Sequence, residues 1–389
     1  MPKTLIRITT VPMGFKVLLN EQIKFMQQNG FNVIMISADG EKRNDIIANE
    51  NCEHVIVPFT RKITPVHDVI CVLKLIRIFK KYKPDIVHTH TPKAGLLGML
   101  AAKIAGVKIR IHTVAGLPLI VTKGFKKGLL KYAEKVTSWA ANYVWPNSKS
   151  LMKYMIEEKL ADPSKLSMIK NGSSNGVDTF RHNKANLNEK ILNEVKELIH
   201  YEKHKDAVKI LCIGRMVKDK GVEELLNVFE RLQKKNNVYL ILVGPFEHHL
   251  DPLSKRSLQQ ISSNPDIIHI NWSNNIENYM ACADLFVHPS RREGFPNVLL
   301  EAGAMGVPVI CSDIPGNTDI VQHEKTGLLF SVTDEDDFFN KMTFAIENGS
   351  VIKRFACHLN EEVTELYDRK MIHNTLLSTY NTLLTPHEN

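Results

Sequence analysis

The sequence contains no hydrophobic run long enough to cross a membrane as a helix. Such a helix needs roughly 18–20 apolar residues. The two most apolar stretches, residues 69–79 and 95–109, are both interrupted by lysine or arginine. The N-terminal stretch alternates like a β-strand and lacks the apolar centre and cleavage site of a signal peptide. These absences predict a protein that remains in the cytoplasm.

Cysteine is also scarce. The chain has six cysteines among 389 residues, and none of them forms a C-x-x-C pair. This scatter is not the pattern of a disulfide framework or a zinc ribbon. Most of the cysteines have apolar neighbours, so we expect reduced, buried thiols. They are Cys52, Cys71, Cys212, Cys282, Cys311 and Cys357.

Aromatic residues make up only 7% of the chain, and no stacking platform or recognition-helix pattern is visible. The formal net charge is nevertheless +8, with a pI of about 9.0. A basic surplus indicates an anionic partner, which could be a nucleotide phosphate, an acidic lipid or a nucleic acid. We predict no nucleic-acid partner. A nucleic-acid-binding protein remains a distant alternative on charge alone.

Metal-ligand spacing is absent as well. His88 and His90 alternate on one predicted strand, and His248 and His249 are adjacent. None of these histidines has a cysteine or carboxylate partner at the spacing that a zinc site requires. We therefore predict no metal site.

What the sequence does contain is a regular alternation of β-rich runs and helical patterns. Residues 31–37 form one such run, and residues 17–29 are predicted to form one helix closed by Gly30. The alternation predicts an α/β fold built on parallel sheets with helices on both faces. A second helix has a 3.6-residue apolar period. Its apolar positions are Val222, Leu225, Leu226, Phe229 and Leu232.

The alternation of strands and helices is interrupted by a polar stretch rich in Asn, Gly and Ser, and it resumes after that stretch. This interruption predicts two domains joined by a linker. The predicted segments are an N-terminal domain at residues 1–175, a linker at 176–205, a C-terminal domain at 206–364, and a final helix within 365–389 that crosses back to the first domain. In open parallel sheets, ligands bind outside the carboxyl ends of the strands. Candidate functional residues are therefore expected at those ends.

One predicted helix, from about Pro296 to Met305, is apolar on most sides and yet contains Glu301. A lone carboxylate in such surroundings costs several kcal/mol unless it is paired or meets a polar ligand. Glu293 lies just before the helix, where free N–H groups and the positive end of the dipole gather. Two carboxylates placed in this way could bind the hydroxyls of a sugar nucleotide. A salt-bridged Glu301 and a solvated Glu293 are the alternative.

A second strand end combines two cations with a helix start. Arg215 follows the strand directly, and Lys220 precedes Gly221 and the next helix. Positive side chains beside a helix N-terminus form a diphosphate site. The alternative is a solvated basic loop.

These two strand ends resemble one family. The pattern G-R-x-x-x-x-K-G includes Arg215 and Lys220, and P-S-x-x-E-G-F-P-x-x-x-x-E-A-x-A-x-G-x-P-V follows at residues 289–309. Together they resemble family 4 of the retaining glycosyltransferases, strongly over residues 210–328. The resemblance continues more loosely through the N-terminal half, which looks most like bacterial enzymes of capsule, O-antigen or lipid-linked glycan synthesis. It implies the GT-B architecture, in which two Rossmann-like domains have parallel sheets that face across a cleft.

The resemblance also implies residue roles. Arg215 and Lys220 would hold the diphosphate of a nucleotide sugar and relieve charge on the leaving nucleotide. Glu293 would contact the transferred sugar, and Glu301 the ribose hydroxyls. The base would lie near residues 271–276. Backbone N–H groups near the sugar or phosphates would come from Gly294, Phe295, Asn297 and Val298.

In the N-terminal half, the resemblance places His112 at a strand end close to the donor sugar, where it would position sugar or acceptor. A packed or solvated histidine is the alternative. Gly14 matches a loop near the donor phosphates, although many relatives have paired glycines there and this chain has one. His90, at the end of its strand, is a candidate on the acceptor side.

The implied reaction needs no cofactor. Arg215 and Lys220 supply positive charge, so we expect no metal requirement. The family implies retention of anomeric configuration, and the lack of an obvious nucleophile in these motifs favours front-side attack by the acceptor hydroxyl. A UDP-linked donor and a glycan or lipid-linked acceptor are expected. A non-hydrolysing UDP-sugar 2-epimerase on the same fold is the alternative enzyme.

Two basic amphipathic segments, residues 72–83 and 122–136, lie in the N-terminal half. Such helices can lie on an anionic membrane, where each Lys or Arg adds about 1 kcal/mol. We predict peripheral membrane contact, which would bring a lipid-linked acceptor within reach. Two solvated surface helices are the alternative.

Overall fold

The apolar runs of the sequence pair into two six-stranded sheets, and every strand pair within them is parallel. The structure is a computed structural model that describes residues 2–120, 122–247 and 251–385. It divides into two units. The first contains the chain up to Asn175 together with the C-terminal stretch from Arg369, and the second is Gly176–Asp368.

The sheet of the first unit has the strand order β3-β2-β1-β4-β5-β6. Its central strands β1 and β4 are largely buried because helices cover both faces. Leu5, Ile6 and Ile8 of β1, for example, are all fully buried. The strands are β1 (Lys3–Ile8), β2 (Phe31–Ser37), β3 (Glu53–Ile56), β4 (Ile86–Thr89), β5 (Ile109–Val114) and β6 (Tyr143–Pro146).

The helices of this unit fill the connections between its strands, with two single 3-10 turns at Pro118–Ile120 and Pro163–Lys165. They are α1 (Met13–Leu18), α2 (Gln22–Gln28), α3 (Arg43–Glu50), α4 (Pro65–Tyr82), α5 (Pro92–Ile104), α6 (Gly124–Ala140) and α7 (Lys149–Glu157).

The single helix predicted over residues 17–29 is wrong, because two helices stand in this part of the chain. Glu21 has a left-handed backbone with φ of 64°, which ends the first helical direction and starts another. The change of direction lets Phe15 of α1 and Ile23 of α2 both reach the core, where they are 1% and 0% exposed. Hydrophobic spacing alone did not reveal this break.

The second unit repeats the topology of the first, with the order β12-β11-β10-β7-β8-β9. Both orders are the Rossmann order, in which the strand sequence reverses beside the first strand of the unit. The reversal falls between β1 and β4 in one unit and between β7 and β10 in the other. The strands are β7 (Val208–Ile213), β8 (Val238–Val243), β9 (Ile267–Ile270), β10 (Leu285–His288), β11 (Val309–Ser312) and β12 (Leu328–Phe330).

The helices of the second unit include the two whose apolar patterns were most regular. All five periodic positions of α9 are fully buried, which confirms that prediction, and α12 occupies the span expected for the helix around Glu301. The helices are α8 (Glu189–Leu198), α9 (Val222–Leu232), α10 (Lys255–Ser263), α11 (Ile276–Ala281), α12 (Asn297–Ala304), α13 (Glu335–Glu347) and α14 (Gly349–Leu366), with 3-10 turns at Lys184–Asn186 and Lys218–Lys220.

The polar stretch at residues 176–205, expected as a linker, lies within the second unit and contains α8. Val195 and Ile199 pack into the core of that unit, at 6% and 0% exposure. The segment expected as one last helix is divided at Tyr367 and Asp368. The second part, α15 (Arg369–Leu384), belongs to the first unit.

None of the helices in the described parts of the chain is both long enough and apolar enough to cross a membrane. The cysteines are all unpaired, and five of them are buried, while Cys357 is exposed.

Candidate active site

The candidate residues of the second unit gather where its strand order reverses, at the carboxyl ends of β7 and β10. β7 runs directly into Gly214 and Arg215, and β10 runs into the loop that contains Glu293. β7 and β10 are neighbours in the sheet, so their ends lie side by side. This is the position where ligands bind in doubly wound sheets.

Lys220 and Glu293 meet at this point. Lys220 Nζ contacts Glu293 Oε1, and His288 Nε2 lies 2.9 Å from the same oxygen. The Lys220 and Glu293 side chains are only 19% and 14% exposed. Burial alone would raise the pKa of Glu293, but His288 and Lys220 outweigh burial and hold that pKa well below its usual range. The carboxylate is therefore ionised at neutral pH.

Gly221 allows the loop of Lys220 to approach the end of β10. Its φ is 68°, in the left-handed region, and an added Cβ would lie 2.0 Å from the carbonyl oxygen of Pro289. Only glycine fits this approach without strain. The close contact fixes Lys220, which ends the preceding 3-10 turn, against the strand end that leads to Glu293.

Ion pairs join the same two loops further. Arg292 Nε donates to both carboxylate oxygens of Asp219, at 2.9 and 2.8 Å. Arg291 pairs with Glu224, and its backbone N–H donates to the carbonyl of Asp219 at 2.9 Å. These contacts keep the two strand-end loops in one arrangement before any ligand binds.

Arg215, the other predicted cation, has a different partner. Its Nη1 donates to Glu247 Oε2 at 2.7 Å, and its side chain is 43% exposed. Glu247 follows β8, so Arg215 leans toward the neighbouring strand end. His248 and His249, which follow Glu247, lie outside the described residues.

The remaining candidates of this unit line the start of α12. Phe295 turns its ring into the core against Tyr367, with ring centroids 5.5 Å apart, so only its backbone can face a ligand. Gly294, Asn297 and Val298 are half-buried. The first turn of a helix has N–H groups without partners inside the helix, which makes this start suited to oxygen-rich ligands.

Glu301 lies one turn further along α12. It is half-buried, whereas Leu299, Leu300 and Ala302 around it are fully buried. The carboxylate thus occupies the one edge of α12 that the core does not cover completely. The expected position of a base, residues 271–276, follows β9, and Trp272 there is 47% exposed.

In the first unit, the expected position of His112 at a strand end is wrong, because β5 continues to Val114 and His112 lies two residues before that end. Its side chain is 2% exposed. Its Nδ1 lies 2.8 Å from Thr89 Oγ1, and burial lowers its pKa to about 4, so the ring is neutral. Gly95 of α5 packs against the ring. An added Cβ at Gly95 would lie 2.4 Å from His112 Cε1.

This packing allows the role of His112 to be tested without changing it. We expect Gly95→Ala to displace the imidazole and to lower kcat roughly tenfold or more, because small misplacements of positioning groups are costly. Gly128→Ala in α6 is the matched control, since a Cβ there would meet nothing within 4 Å. Equal kcat values for the two variants, measured in a sugar-transfer assay, would mean that the imidazole takes no part in turnover.

The other two N-terminal candidates lie in the segments that follow β4 and β1. His90 follows β4, is 2% exposed and accepts a hydrogen bond at Nε2 from Arg7 Nε at 3.0 Å. Gly14 lies in the first turn of α1, where an added Cβ would lie 2.9 Å from Thr9 Cβ. Gly14 is therefore packed closely against the end of β1.

Sequence reasoning missed His288, which completes the contacts of Glu293. The available signal was its position close to the end of a strand predicted to end near Ser290, five residues before Glu293. In the structure it is the last residue of β10. Sequence reasoning also missed Arg7, because the alternation of a strand does not show whether a charged residue within it is buried.

Across the described ranges, no group of three His, Cys, Asp or Glu side chains is arranged to hold a metal ion. The sequence does contain Asp334-Glu335-Asp336, an Asp-x-Asp pattern. Asp334 caps α13, because its carboxylate accepts from the N–H groups of Asp336 and Asp337 at 3.0 Å. This pattern is thus explained by helix capping.

Two Rossmann-type units with these sheet orders define the GT-B class of glycosyltransferase folds. A glycosyltransferase of Rickettsia africae has a TM-score of 0.82 to this chain at 20% identity, and the match covers 99% of both chains. HepE of Anabaena, solved in complex with UDP, has a TM-score of 0.80 at 16% identity over 98% of this chain and 100% of its own.

The sequence itself places the chain within a family. The family model described as "Glycosyl transferases group 1" matches residues 195–360, and "Glycosyl transferase 4-like" matches residues 7–157. The capsular polysaccharide biosynthesis glycosyltransferase CapM of Staphylococcus aureus is 32% identical over 95% of both chains. The chain therefore belongs to the group 1 glycosyltransferases and is an enzyme of that class.

A further relative is an Escherichia coli UDP-Gal:alpha-D-GlcNAc-diphosphoundecaprenol alpha-1,3-galactosyltransferase. It is 29% identical, and the match covers 84% of this chain and 81% of the relative. These matches are to glycosyltransferases, so they do not favour the alternative of a UDP-sugar 2-epimerase.

Proposed function

We propose that this glycosyltransferase moves a sugar from a UDP-sugar to a hydroxyl of a lipid-linked glycan during synthesis of a bacterial surface polysaccharide. The observation that carries the proposal is the contact of Lys220, Glu293 and His288 at the reversal point of the second sheet. The names of the Staphylococcus aureus and Escherichia coli relatives support the pathway and the lipid-linked acceptor. The UDP complex of the Anabaena protein supports the donor.

The donor would lie along the loops after β7 and β10. Lys220 and Arg215 bind the diphosphate, with further N–H groups from Asn297 and Val298. Glu293 contacts the transferred sugar beside Gly294 and Phe295, and Glu301 accepts from the ribose hydroxyls. The direct contact of Lys220 with Glu293 supports this order, because phosphate and sugar are neighbours in the donor.

In the chemical step, the bond between the anomeric carbon and the phosphate oxygen breaks as the acceptor oxygen forms a new bond to that carbon. The proton of the acceptor hydroxyl passes to the departing phosphate. Negative charge grows on the departing phosphate oxygen. A cation already held in place stabilises this charge more than it stabilises the bound donor, which lowers the barrier. The reaction retains anomeric configuration, with attack from the leaving-group side, and uses Lys220 and Arg215 in place of a metal ion.

The first unit would supply the acceptor side. His112, neutral because of its burial, positions the sugar or the acceptor hydroxyl. Gly14 lies in the loop that approaches the donor phosphates, and His90 contributes to acceptor binding.

A thermal-shift panel of nucleotides tests the donor. A ligand that binds only the native state at about 100 times its Kd stabilises it by about 2.7 kcal/mol. We expect UDP to raise Tm more than GDP does, and Lys220→Ala to abolish the shift while Lys218→Ala keeps it. Incubation of the protein with the UDP-sugar and no acceptor distinguishes the two enzymes. A 2-epimerase would convert the UDP-sugar to its epimer under these conditions, and a glycosyltransferase would not. A panel without any stabilising nucleotide would contradict the proposal.

Peripheral contact with an anionic membrane is part of the same proposal. On α4, the apolar side chains Val66, Val69, Ile70 and Leu73 are 51–79% exposed. They share the helix with the exposed basic residues Lys74, Arg77, Lys80 and Lys81. On α6, Phe125, Tyr132 and Trp139 are 91%, 68% and 59% exposed beside several lysines. Apolar side chains next to basic ones are the composition of a helix that binds an anionic lipid surface.

Sedimentation with liposomes tests this contact. We expect the protein to bind vesicles that contain anionic lipid and to remain unbound with zwitterionic vesicles. Phe125→Ser should weaken binding roughly tenfold, since it removes one large apolar side chain from the interface. Phe344→Ser in α13, at 40% exposure in the second unit, is the control. Binding that is indifferent to lipid charge would rule out the contact.

A further inference from the structure

Arg7 is a fully buried cation that no carboxylate neutralises directly. It is 0% exposed, and within the described residues it forms no ion pair. Its three nitrogens donate to neutral groups instead, namely His90 Nε2 at 3.0 Å, the Tyr380 hydroxyl at 2.9 Å and Gln22 Oε1. The negative charge of Glu50 acts to raise the pKa of Arg7. The oxygens of Glu50, however, accept from the backbone N–H groups of Glu21 and Lys24 and not from Arg7. A buried charge without a partner is costly, which indicates a role beyond packing.

The guanidinium determines where the proton of His90 lies. Arginine can only donate, so His90 Nε2 must accept from it. Burial lowers the pKa of His90 well below its usual value, so the ring is neutral and has one proton. That proton is therefore on Nδ1. This atom is buried and has no hydrogen-bond partner among the residues that the structure describes.

Arg7 also orients a second donor, the Thr113 hydroxyl, through hydrogen bonds that pass by way of Tyr380 and His88. The Tyr380 hydroxyl accepts from Arg7, so its own proton is directed to His88 Nδ1 at 2.5 Å. His88 then has its proton on Nε2 and donates to Thr113 Oγ1 at 2.7 Å. The hydroxyl proton of Thr113 is left to donate elsewhere. Every step follows from the fact that the chain of hydrogen bonds begins at a group that cannot accept.

Both donors line one small cavity at the carboxyl ends of β4, β5 and β6. His90 and Thr113 share its wall with Asn147 and Ser174, whose Oδ1 and Oγ are also buried without partners. The Ser174 hydroxyl can donate. The Asn147 side chain can also donate, through the NH₂ group of its amide. The cavity therefore offers several N–H and O–H donors close to a buried positive charge.

We propose that this cavity binds one oxyanion, a phosphate or a carboxylate, with His90 and Thr113 as its donors and Arg7 as the residue that positions both. The assignment of that oxyanion to the glycan acceptor rests on the proposed function, while the existence of the anion site does not. The acceptor would accordingly carry an anionic group near its reactive hydroxyl. Arg7 is a positioning residue here, since each of its three nitrogens donates to a protein atom.

The test is NMR of the histidine rings in ¹⁵N-labelled full-length protein. Two-bond ¹H–¹⁵N correlations are expected to show His90 with its proton on Nδ1. Inorganic phosphate and acetate are then titrated in separate arms at constant ionic strength, after saturation with UDP to occupy any phosphate site in the second unit. We expect at least one of the anions to shift the His90 Nδ1 resonance in a saturable way, and the stronger arm identifies the phosphate or the carboxylate as the preferred group.

Three variants test whether the proposed donors contribute to binding of the anion. Thr113→Val and His90→Gln should each weaken the binding of that anion about tenfold or more, the cost of a lost hydrogen bond to a charged group. Tyr380→Phe breaks the relay outside the cavity and should weaken binding while His90 keeps its tautomer. Thr343→Val is the control, because its hydroxyl bonds only to the carbonyl of Phe339 in α13.

The outcomes separate this inference from the proposed function. A His90 proton on Nε2, or a His90 resonance that responds to neither anion, would overturn the anion site even if UDP binds. A His90 response in a protein that does not bind UDP would leave the anion site standing and remove the donor assignment. Unchanged anion affinity in both Thr113→Val and His90→Gln would also reject the cavity as the binding place.

Discussion

Replacing Lys220 by alanine is expected to lower kcat by about 10²–10³-fold while the fold remains intact. This is the size of the loss when one preorganised donor to a developing negative charge is removed. Lys220 follows β7, is 19% exposed and lies in a 3-10 turn rather than in the core. Its loss should therefore remove transition-state stabilisation and little packing. Wild-type protein and Lys220→Ala are compared by kcat with a UDP-sugar and a lipid-linked acceptor. Far-UV circular dichroism reports whether the fold of the variant is intact.

Lys218 provides the matched control for this variant. It belongs to the same 3-10 turn as Lys220, and its side chain is exposed. Lys218→Ala should keep kcat within a few-fold of the wild-type value. Wild-type turnover in Lys220→Ala would remove Lys220 from the mechanism. An equal loss in both variants would point to the local charge of the turn, and not to the position of one ammonium group.

Replacing Glu293 by glutamine is expected to lower kcat by about 10²-fold, because the change removes both the charge that holds Lys220 and an acceptor for the sugar hydroxyls. Lys220 and His288 hold the pKa of this carboxyl well below its usual range. It is thus charged throughout a neutral assay range, and the variant removes a charge rather than a titrating proton. Because the native pKa is lowered, the stability that this carboxylate contributes is fully present above pH 4.5, the ordinary pKa of the group. It is lost progressively as the pH falls from there to the native pKa.

The contact between the two residues makes a sharper test possible. Residues in direct contact are not additive, so Lys220→Ala/Glu293→Gln should lose much less than the product of the two single losses. The measurements are steady-state kcat and KM for the wild-type protein, the two single variants and the double variant, which together form a double-mutant cycle. Glu224→Gln is the control, because Glu224 pairs with Arg291 at the same loop junction but not with Lys220. Fully additive losses would mean that Lys220 and Glu293 act independently.

Much of the secondary structure was predictable because its causes are local. β2 spans the residues that the apolar run predicted, and α9 buries all five periodic positions. The break at Glu21 was not predictable, since its left-handed backbone serves packing of Phe15 and Ile23 on either side. The helix α8 was overlooked because polar composition outweighed a short apolar face that only the second unit covers.

The candidate site was predictable only as a set of separate strand ends. The motifs named Lys220 and Glu293 as donor-binding residues, but the interaction between them spans 73 positions in the chain. The pairing of Arg215 with Glu247 likewise depends on which strands are neighbours in the sheet. No local spacing specifies those partners.

The alternation of strands and helices, the parallel α/β class and the family could all be predicted from the amino-acid sequence, because side-chain period and motif spacing are read directly from the order of residues. Which charges meet depends on how distant segments pack. Arg7 and Tyr380 are 373 positions apart, and their contact exists because the last helix packs on the first sheet. Proton positions in that cluster follow from burial and from donor-only chemistry, and both appear only when distant segments are folded together.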